Sequence, residues 1–239
     1  MSYILPAALA GARVCRRSCH AVVAGQPGAD TLAAFSAALD AARATGRILT
    51  ASLYRYENQL FFYAEGLDAP FTPEGLCPAL DAQLIPWPPA LGDTTPRPWA
   101  AMQPYFYHAV PTTAADWQRN RHPAMRRGRI ALLPPDKWCS YMEHHLRLTS
   151  EGLLAGDRWH LISVHENLLF SYLEEPRTNV NLCGVPGAES PELAAWLAAD
   201  PESHFARFTP EQQAHPDADH NFVFCPALPG PQRNRRNTR

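Results

Sequence analysis

Along this chain the spacing of apolar and polar positions switches between strand and helix period in a repeating order. Residues 18–24, SCHAVVA, form a β-rich run closed by Gly25, Pro27 and Gly28, which predicts a first strand. Residues 31–46 are alanine-rich and carry their apolar side chains on one helical face; Asp30 or Thr31 stands at the N-cap, and Gly46 ends the run. ILTASLYRY (48–56) and QLFFYAEGL (59–67) flank Glu57-Asn58, the signal of a β-hairpin. Residues 70–100 are rich in proline, which fixes φ and removes a backbone donor, so only a short helix over 76–84 is expected there. PYFYHAV, 104–110, predicts a fourth strand.

A linker follows over 111–125, with a helical turn expected at 114–121, and then the pattern starts again. GRIALL (128–133) is a strand stopped by Pro134-Pro135, and Asp136 is placed to cap a helix over 137–152. Residues 159–165 and 168–174 form a second hairpin, with Phe170 and Tyr172 on one face and Leu169 and Leu173 on the other. Ser190-Pro191-Glu192 opens a further helix with a good cap and an N1 proline, broken at Asp200-Pro201. Residues 221–225 supply the last strand, and PGPQRNRRNTR is a polar, basic tail expected to be disordered.

Both halves read β-α-β-β-α-β. The hairpins match most closely: SLYRYENQLFFYAEG lies over HLISVHENLLFSYLEEP with Glu57-Asn58 aligned to Glu166-Asn167. That order is the ferredoxin-like split βαβ unit. The expected fold is therefore α+β: a degenerate repeat over 12–110 with a proline-rich insertion, the linker 111–125, a second repeat over 126–228 and the tail 229–239. Two such repeats are expected to close into an intramolecular dimeric α/β barrel, either as a monomer or as a homodimer.

Composition narrows the field. The net charge of −2 gives no general attraction to nucleic acid or anionic membrane, and four arginines on a polar tail are weak evidence for either. No apolar run reaches the length of a membrane span, and no basic n-region precedes the N-terminal apolar stretch. The 6 cysteines form no CxxC pair and no zinc spacing, so free thiols in the cytoplasm are expected. His144, His145, His160 and His165, with Glu143 or Glu166, are a conceivable ligand set, but no HExxH-like spacing is present; neither a metal nor a cofactor is expected. Glu174-Glu175 reads as a solvated strand edge.

The candidate chemistry is Tyr141 and His145. Four residues apart on a helix, they share one face, with Cβ atoms about 5–6 Å apart. His144 points about 100° away and is expected in solvent. A histidine near its ordinary pKa of about 6.5 serves as both acid and base at neutrality, and a tyrosine beside it holds or protonates a substrate oxygen. Taken alone, His145 reads as a helix-surface residue, and the second-half tryptophans read as core.

The stretch RRGRIALLPPDKWCSYMEHH, and NLLFSYLE after it, resemble the L-rhamnose mutarotases, small dimeric α/β barrels that interconvert sugar anomers. The resemblance implies that His145 is the acid/base and that Tyr141 contacts the sugar. It also implies an aromatic sugar contact at Trp159 or His160, with Arg129 and Tyr172 completing the substrate-binding set. Three features depart from the family: its Trp-Trp pair is here Ser203-His204-Phe205, the segment between His145 and the hairpin is shorter, and the first-half helix, with Phe35 and Leu39, has no Tyr-x-x-x-His. The implied function is a mutarotase-like isomerase acting on L-rhamnose or a related aldose. Two other readings stand beside it. A cofactor-free α/β-barrel monooxygenase would need an aromatic cavity without convergent polar groups, and a non-catalytic ligand-binding barrel would have a lumen filled by side chains.

Overall fold

A computed structural model describes residues 7–119, 123–185, 187–214 and 222–228. The expected tail, the last two residues of the linker's helical turn and the first residue of the expected final strand lie outside them. The strands are β1 (Val14–Val23), β2 (Ile48–Tyr56), β3 (Gln59–Leu67), β4 (Leu84–Ile85), β5 (Ala100–Tyr107), β6 (Met125–Leu132), β7 (Gly156–Asp157), β8 (Leu161–His165), β9 (Leu168–Glu175), β10 (Asn179–Val180), β11 (Val223–Cys225) and β12 (Ala227–Leu228). The helices are α1 (Ala29–Ala44), α2 (Pro78–Asp81), α3 (Trp138–Glu151), α4 (Pro191–Ala198) and α5 (Pro210–Ala214). Among the described residues, no helix is long and apolar enough to cross a membrane.

One antiparallel sheet runs β11-β6-β9-β8-β5-β1-β3-β2-β12, with β4 on β1; β7 and β10 pair separately. Its two ends are consecutive in sequence. β11 pairs with β6, β12 pairs with β2, and between them the Pro226 carbonyl accepts the Arg55 N–H at 3.1 Å. The protein is thus a mixed α+β fold built on a nearly closed, barrel-like sheet. β3 shows why closure suits this sequence: every residue from Leu60 to Leu67 is buried, as happens only when both faces of a strand are covered.

Strand alternation sorts the buried side chains into three layers. Cys19, Ala21, Leu53 and Phe62 face α1 and α2 on the helix side of the first half. Ile162, Val164, Leu169 and Ala131 face α3 and α4 on the helix side of the second. Tyr54, Phe61, Tyr63, Ile130, Leu161, Phe170 and Tyr172 come from strands of both halves and fill the lumen. Phe61 stacks on Phe170 with centroids 5.1 Å apart, and Tyr63 on Tyr172 at 3.7 Å. Each aromatic pair adds about 0.5–1.5 kcal/mol beyond its burial.

The helix caps correct two expectations. α1 begins at Ala29 with Gly28 at its N-cap, so Asp30 lies in the first turn, where its charge complements the helix dipole instead of capping. α3 has Lys137 at its N-cap with no side-chain bond, because residues 136–137 stay in the turn closed by Lys137 N–H on the Pro134 carbonyl. Gly152 ends α3 in the left-handed region that glycine adopts without strain, and Ser190 caps α4 as expected. β1 begins at Val14, not Ser18. Arg16 is accommodated within the strand because Tyr63 Oη and the Trp159 carbonyl accept from its guanidinium, at 2.9 and 2.6 Å. The strand expected at 104–110 is β5, displaced toward the N-terminus by its pairing with β1 through Ala100–Met102.

Candidate acid–base site

α3 buries Tyr141, His145 and Leu148, positions i, i+4 and i+7, against the sheet. The Tyr141 and His145 rings stack with centroids 4.0 Å apart. His145 is therefore not the helix-surface residue that the sequence alone suggests. Its walls are Tyr105 and Phe106 of β5, at 5.8 and 4.9 Å, and Trp196 of α4 at 4.8 Å. His204 and Phe205, where the mutarotases carry tryptophans, pack on Tyr141 at 6.3 and 5.3 Å. His144 is partly buried and not free in solvent, because its ring packs on Trp196 at 5.2 Å.

The backbone fixes the tautomer of His145. Its Nδ1 lies 2.9 Å from the Tyr141 carbonyl oxygen, which can only accept, so Nδ1–H donates and Nε2 keeps a free lone pair. Burial, reinforced by His144, His204 and His108, pulls its pKa down to about 4, against the opposing pull of the Tyr141 carbonyl. His145 is uncharged at neutral pH. Burial pushes the Tyr141 phenol up, opposed by Tyr105 and the charge of Arg129, so Tyr141 keeps its proton. The pair therefore presents a neutral base beside a protonated hydroxyl.

The sheet supplies the facing groups. Arg129 of β6 and Ser171 of β9 are register partners, and Arg129 Nε donates to Ser171 Oγ at 3.3 Å. Ser171 Oγ also lies 2.8 Å from His160 Nε2. His160 is held neutral by burial and by the charge of Arg129, and it stacks on His108 with centroids 5.5 Å apart. Phe106 stands between this group and His145, edge-on to both imidazoles. Ser171 and His108 were missed in the sequence, as was the wall role of Trp196. The available signal was Ser171 itself, a small polar residue within the apolar run of β9.

Of the residues expected at the site, Tyr141, His145, His160 and Arg129 lie together on the helix side of the sheet. Trp159 and Tyr172 do not. Tyr172 points into the lumen, on the opposite face from its neighbour Ser171, and Trp159 packs edge-on to Trp117 at 4.8 Å and lies under the Arg119 guanidinium at 4.1 Å. Between the alternatives for the aromatic contact, the geometry puts His160 on the same face as the pair, across Phe106, and Trp159 away from it.

Glu174 likewise departs from expectation: it is buried, not a solvated edge. Arg119, carried by the linker, bonds both Glu65 and Glu174, the latter at 2.7 Å, while Tyr63 and Tyr172 donate to the same carboxylates at 2.7 and 2.5 Å. Glu175, beside it, pairs with Arg127 at 2.6 Å.

Among the described residues, no group of three or more His, Cys, Asp or Glu is placed to hold a metal ion, and all the cysteines are free. The four histidines considered as ligands are divided: His165 faces the lumen against His20, with the Nδ1 atoms 3.0 Å apart, while the other three lie on the helix side. Four clefts formed by described residues lie away from Tyr141 and His145. One of about 670 Å³ runs along α3 from Trp138 to Glu192, and one of about 890 Å³ lies beside β12 and the start of β6. One of about 520 Å³ lies over Arg119 and Trp159, and one of about 510 Å³ lies between α5 and Phe222–Phe224. Compared with protein families, curated proteins and solved structures, the chain matches none, so a functional reading rests on its own geometry.

Proposed function

We propose that the chain is a tandem of two ferredoxin-like repeats joined as an internal pseudo-dimer, and that its second half carries a mutarotase-like acid–base site for a sugar hemiacetal. Strand order supports the first part: β5-β1-β3-β2 and β11-β6-β9-β8 place the corresponding strands of each half in the same sequence. The hairpin turns support it too, since Glu57 and Glu166 occupy matched positions with φ of 51° and 54°. The observation that carries the second part is the stacked Tyr141–His145 pair, with its proton fixed on Nδ1 and its lone pair on Nε2.

In the proposed step, Nε2 of His145 takes the proton of the anomeric hydroxyl as that oxygen forms the aldehyde C=O. The C1–ring oxygen bond breaks, and Tyr141 donates its proton to the departing ring oxygen. Rotation of the aldehyde followed by the reverse transfers gives the other anomer, with no net change in protons or electrons. General acid–base catalysis contributes about 10²–10⁴-fold. His145→Ala is therefore expected to slow anomeric exchange by about that factor while the fold survives, as read by saturation-transfer NMR on L-rhamnose, L-fucose and related aldoses, with their acid and phosphate derivatives in the same panel. Exchange at the buffer rate with the native protein on every sugar, or an unchanged rate in His145→Ala, sinks the reading.

A second reading, a binding barrel without catalysis, is favoured by one observation: the lumen is filled by stacked aromatics and the Arg119 ion pairs. The two readings differ in whether Tyr141 and His145 change a rate or only an affinity.

A further inference from the structure

The helix side of the second half holds a cation that no carboxylate among the described residues meets. Arg126 and Arg127 on β6 pair with Glu174 and Glu175, but Arg129 on the same strand has no carboxylate within ion-pair distance among the described residues. Its guanidinium is half-buried, donates from Nε to Ser171 Oγ, and lies 4.3 Å from the centre of the Phe222 ring. Arg177, exposed and also without an ion-pair partner among the described residues, stands close enough for its charge to oppose that of Arg129. Both arginines bear electrostatically on His160, and Arg129 on Tyr141.

A charge taken partly out of water costs free energy unless a counter-charge meets it, so buried charges are normally paired. The guanidinium fork fits a carboxylate or phosphate through two parallel N–H···O bonds, and with Nε committed to Ser171 its terminal nitrogens are the groups left to donate. We propose that Arg129 receives an oxyanion, a carboxylate or phosphate, carried by the ligand of the Tyr141–His145 site. The ligand class is then a sugar acid or sugar phosphate, not a neutral sugar. Turnover of that ligand rests on the acid–base reading above, whereas its binding does not.

The test is calorimetric titration at fixed ionic strength with inorganic phosphate, D-glucuronate and D-glucose. At least one anion binds, and glucose does not. A charge-assisted hydrogen-bond pair corresponds to about tenfold or more in affinity, so Arg129→Gln weakens the anion by that factor. Arg129→Lys, which keeps the charge without the fork, also weakens it. The unliganded Arg129→Gln protein melts above the native one, because a cation without a counter-ion has been removed; a purely structural arginine would give the reverse. Arg177→Gln, at an exposed position, provides a variant that folds independently of that result and weakens the same anion. Phosphate binding alone assigns a phosphorylated ligand, and glucuronate binding alone a carboxylate. The proposal is overturned if neither anion binds, if both variants bind as the native protein does, or if glucose binds as tightly as glucuronate. Anion binding without anomeric exchange of glucuronate or glucose 6-phosphate removes the mutarotase reading and keeps the anion site. Exchange of neutral sugars without anion binding does the opposite.

Discussion

Phe35 and Leu39 on α1, like Tyr141 and His145 on α3, are four residues apart, buried, and pressed against the helix side of the sheet. In the first half this pair is apolar, with Phe35 edge-on to Phe62 at 6.3 Å, and nothing in it can move a proton. On α3 the pair is a phenol and an imidazole, and burial of the imidazole must be offset by the Nδ1–H bond to the Tyr141 carbonyl. The lumen shows the opposite relation. There the halves contribute like for like: Phe61 with Phe170, Tyr63 with Tyr172, and Glu65 with Glu174 across Arg119. Shared residues hold the halves together, and the residues that differ carry the candidate chemistry. The first half serves as the internal control for the second.

The largest effect should come from breaking what the halves share. Arg119→Leu leaves Glu65 and Glu174 buried without their cation, and removing one partner of a buried ion pair costs about 3–5 kcal/mol. Urea unfolding should show that loss as a lower midpoint. Adding Glu65→Gln and Glu174→Gln to Arg119→Leu should recover most of it, because the uncompensated charges are then gone. A single substitution that leaves the midpoint unchanged would mean that Arg119 does not tie the two halves together.

The pH dependence of stability sharpens the contrast between the helix faces. His145, and His20 in the lumen, titrate near 4 in the folded chain, both chiefly through burial, against about 6.5 when unfolded. Above 6.5 both states are neutral and the full stability is present. As pH falls from 6.5 toward 4 the unfolded chain binds protons that the folded chain refuses, so stability drops by about 1.4 kcal/mol per histidine per unit. Converting the second-half pair to the first-half type, Tyr141→Phe with His145→Leu, should remove one histidine's share of that slope and abolish any anomeric exchange. Denaturant midpoints at pH 7, 6 and 5 measure it; an unaltered slope would place His145 in contact with water.

The sequence made the local features readable and hid those that depend on distant partners. β2 and β3 have the predicted bounds because a two-residue polar break between β-rich runs has few other solutions. The shared face of Tyr141 and His145 followed from helical spacing alone. Glu174 could not be recognised as buried, because its cation comes from Arg119, 55 residues earlier. Arg16 hid the start of β1 for the same reason, its carbonyl partner Trp159 lying 143 residues away. Alternation in β9 separated Phe170 and Tyr172 from Leu169 and Leu173, but not which pair faced the lumen; that depends on closure by β11 and β12, too short to show a period of their own.

The smallest effect concerns how each half starts a helix. At α4, Ser190 Oγ accepts the Leu193 N–H at 3.0 Å, and its own O–H donates to Glu151 at the end of α3. Ser190→Ala removes the cap and leaves that carboxylate without its donor, so about 1–2 kcal/mol should be lost. α1 has only Gly28 at its N-cap, with extended backbone at φ −64° and ψ 157° and open space where a Cβ would stand. Gly28→Ser should therefore gain a few tenths of a kcal/mol, by capping and by reducing the freedom of the unfolded chain. Paired thermal melts of the two variants measure both signs in one experiment. Because Gly28 and Ser190 lie on different helices with no shared partner, the double variant should show the sum. A departure from additivity would mean that the two helix layers are coupled through the sheet between them.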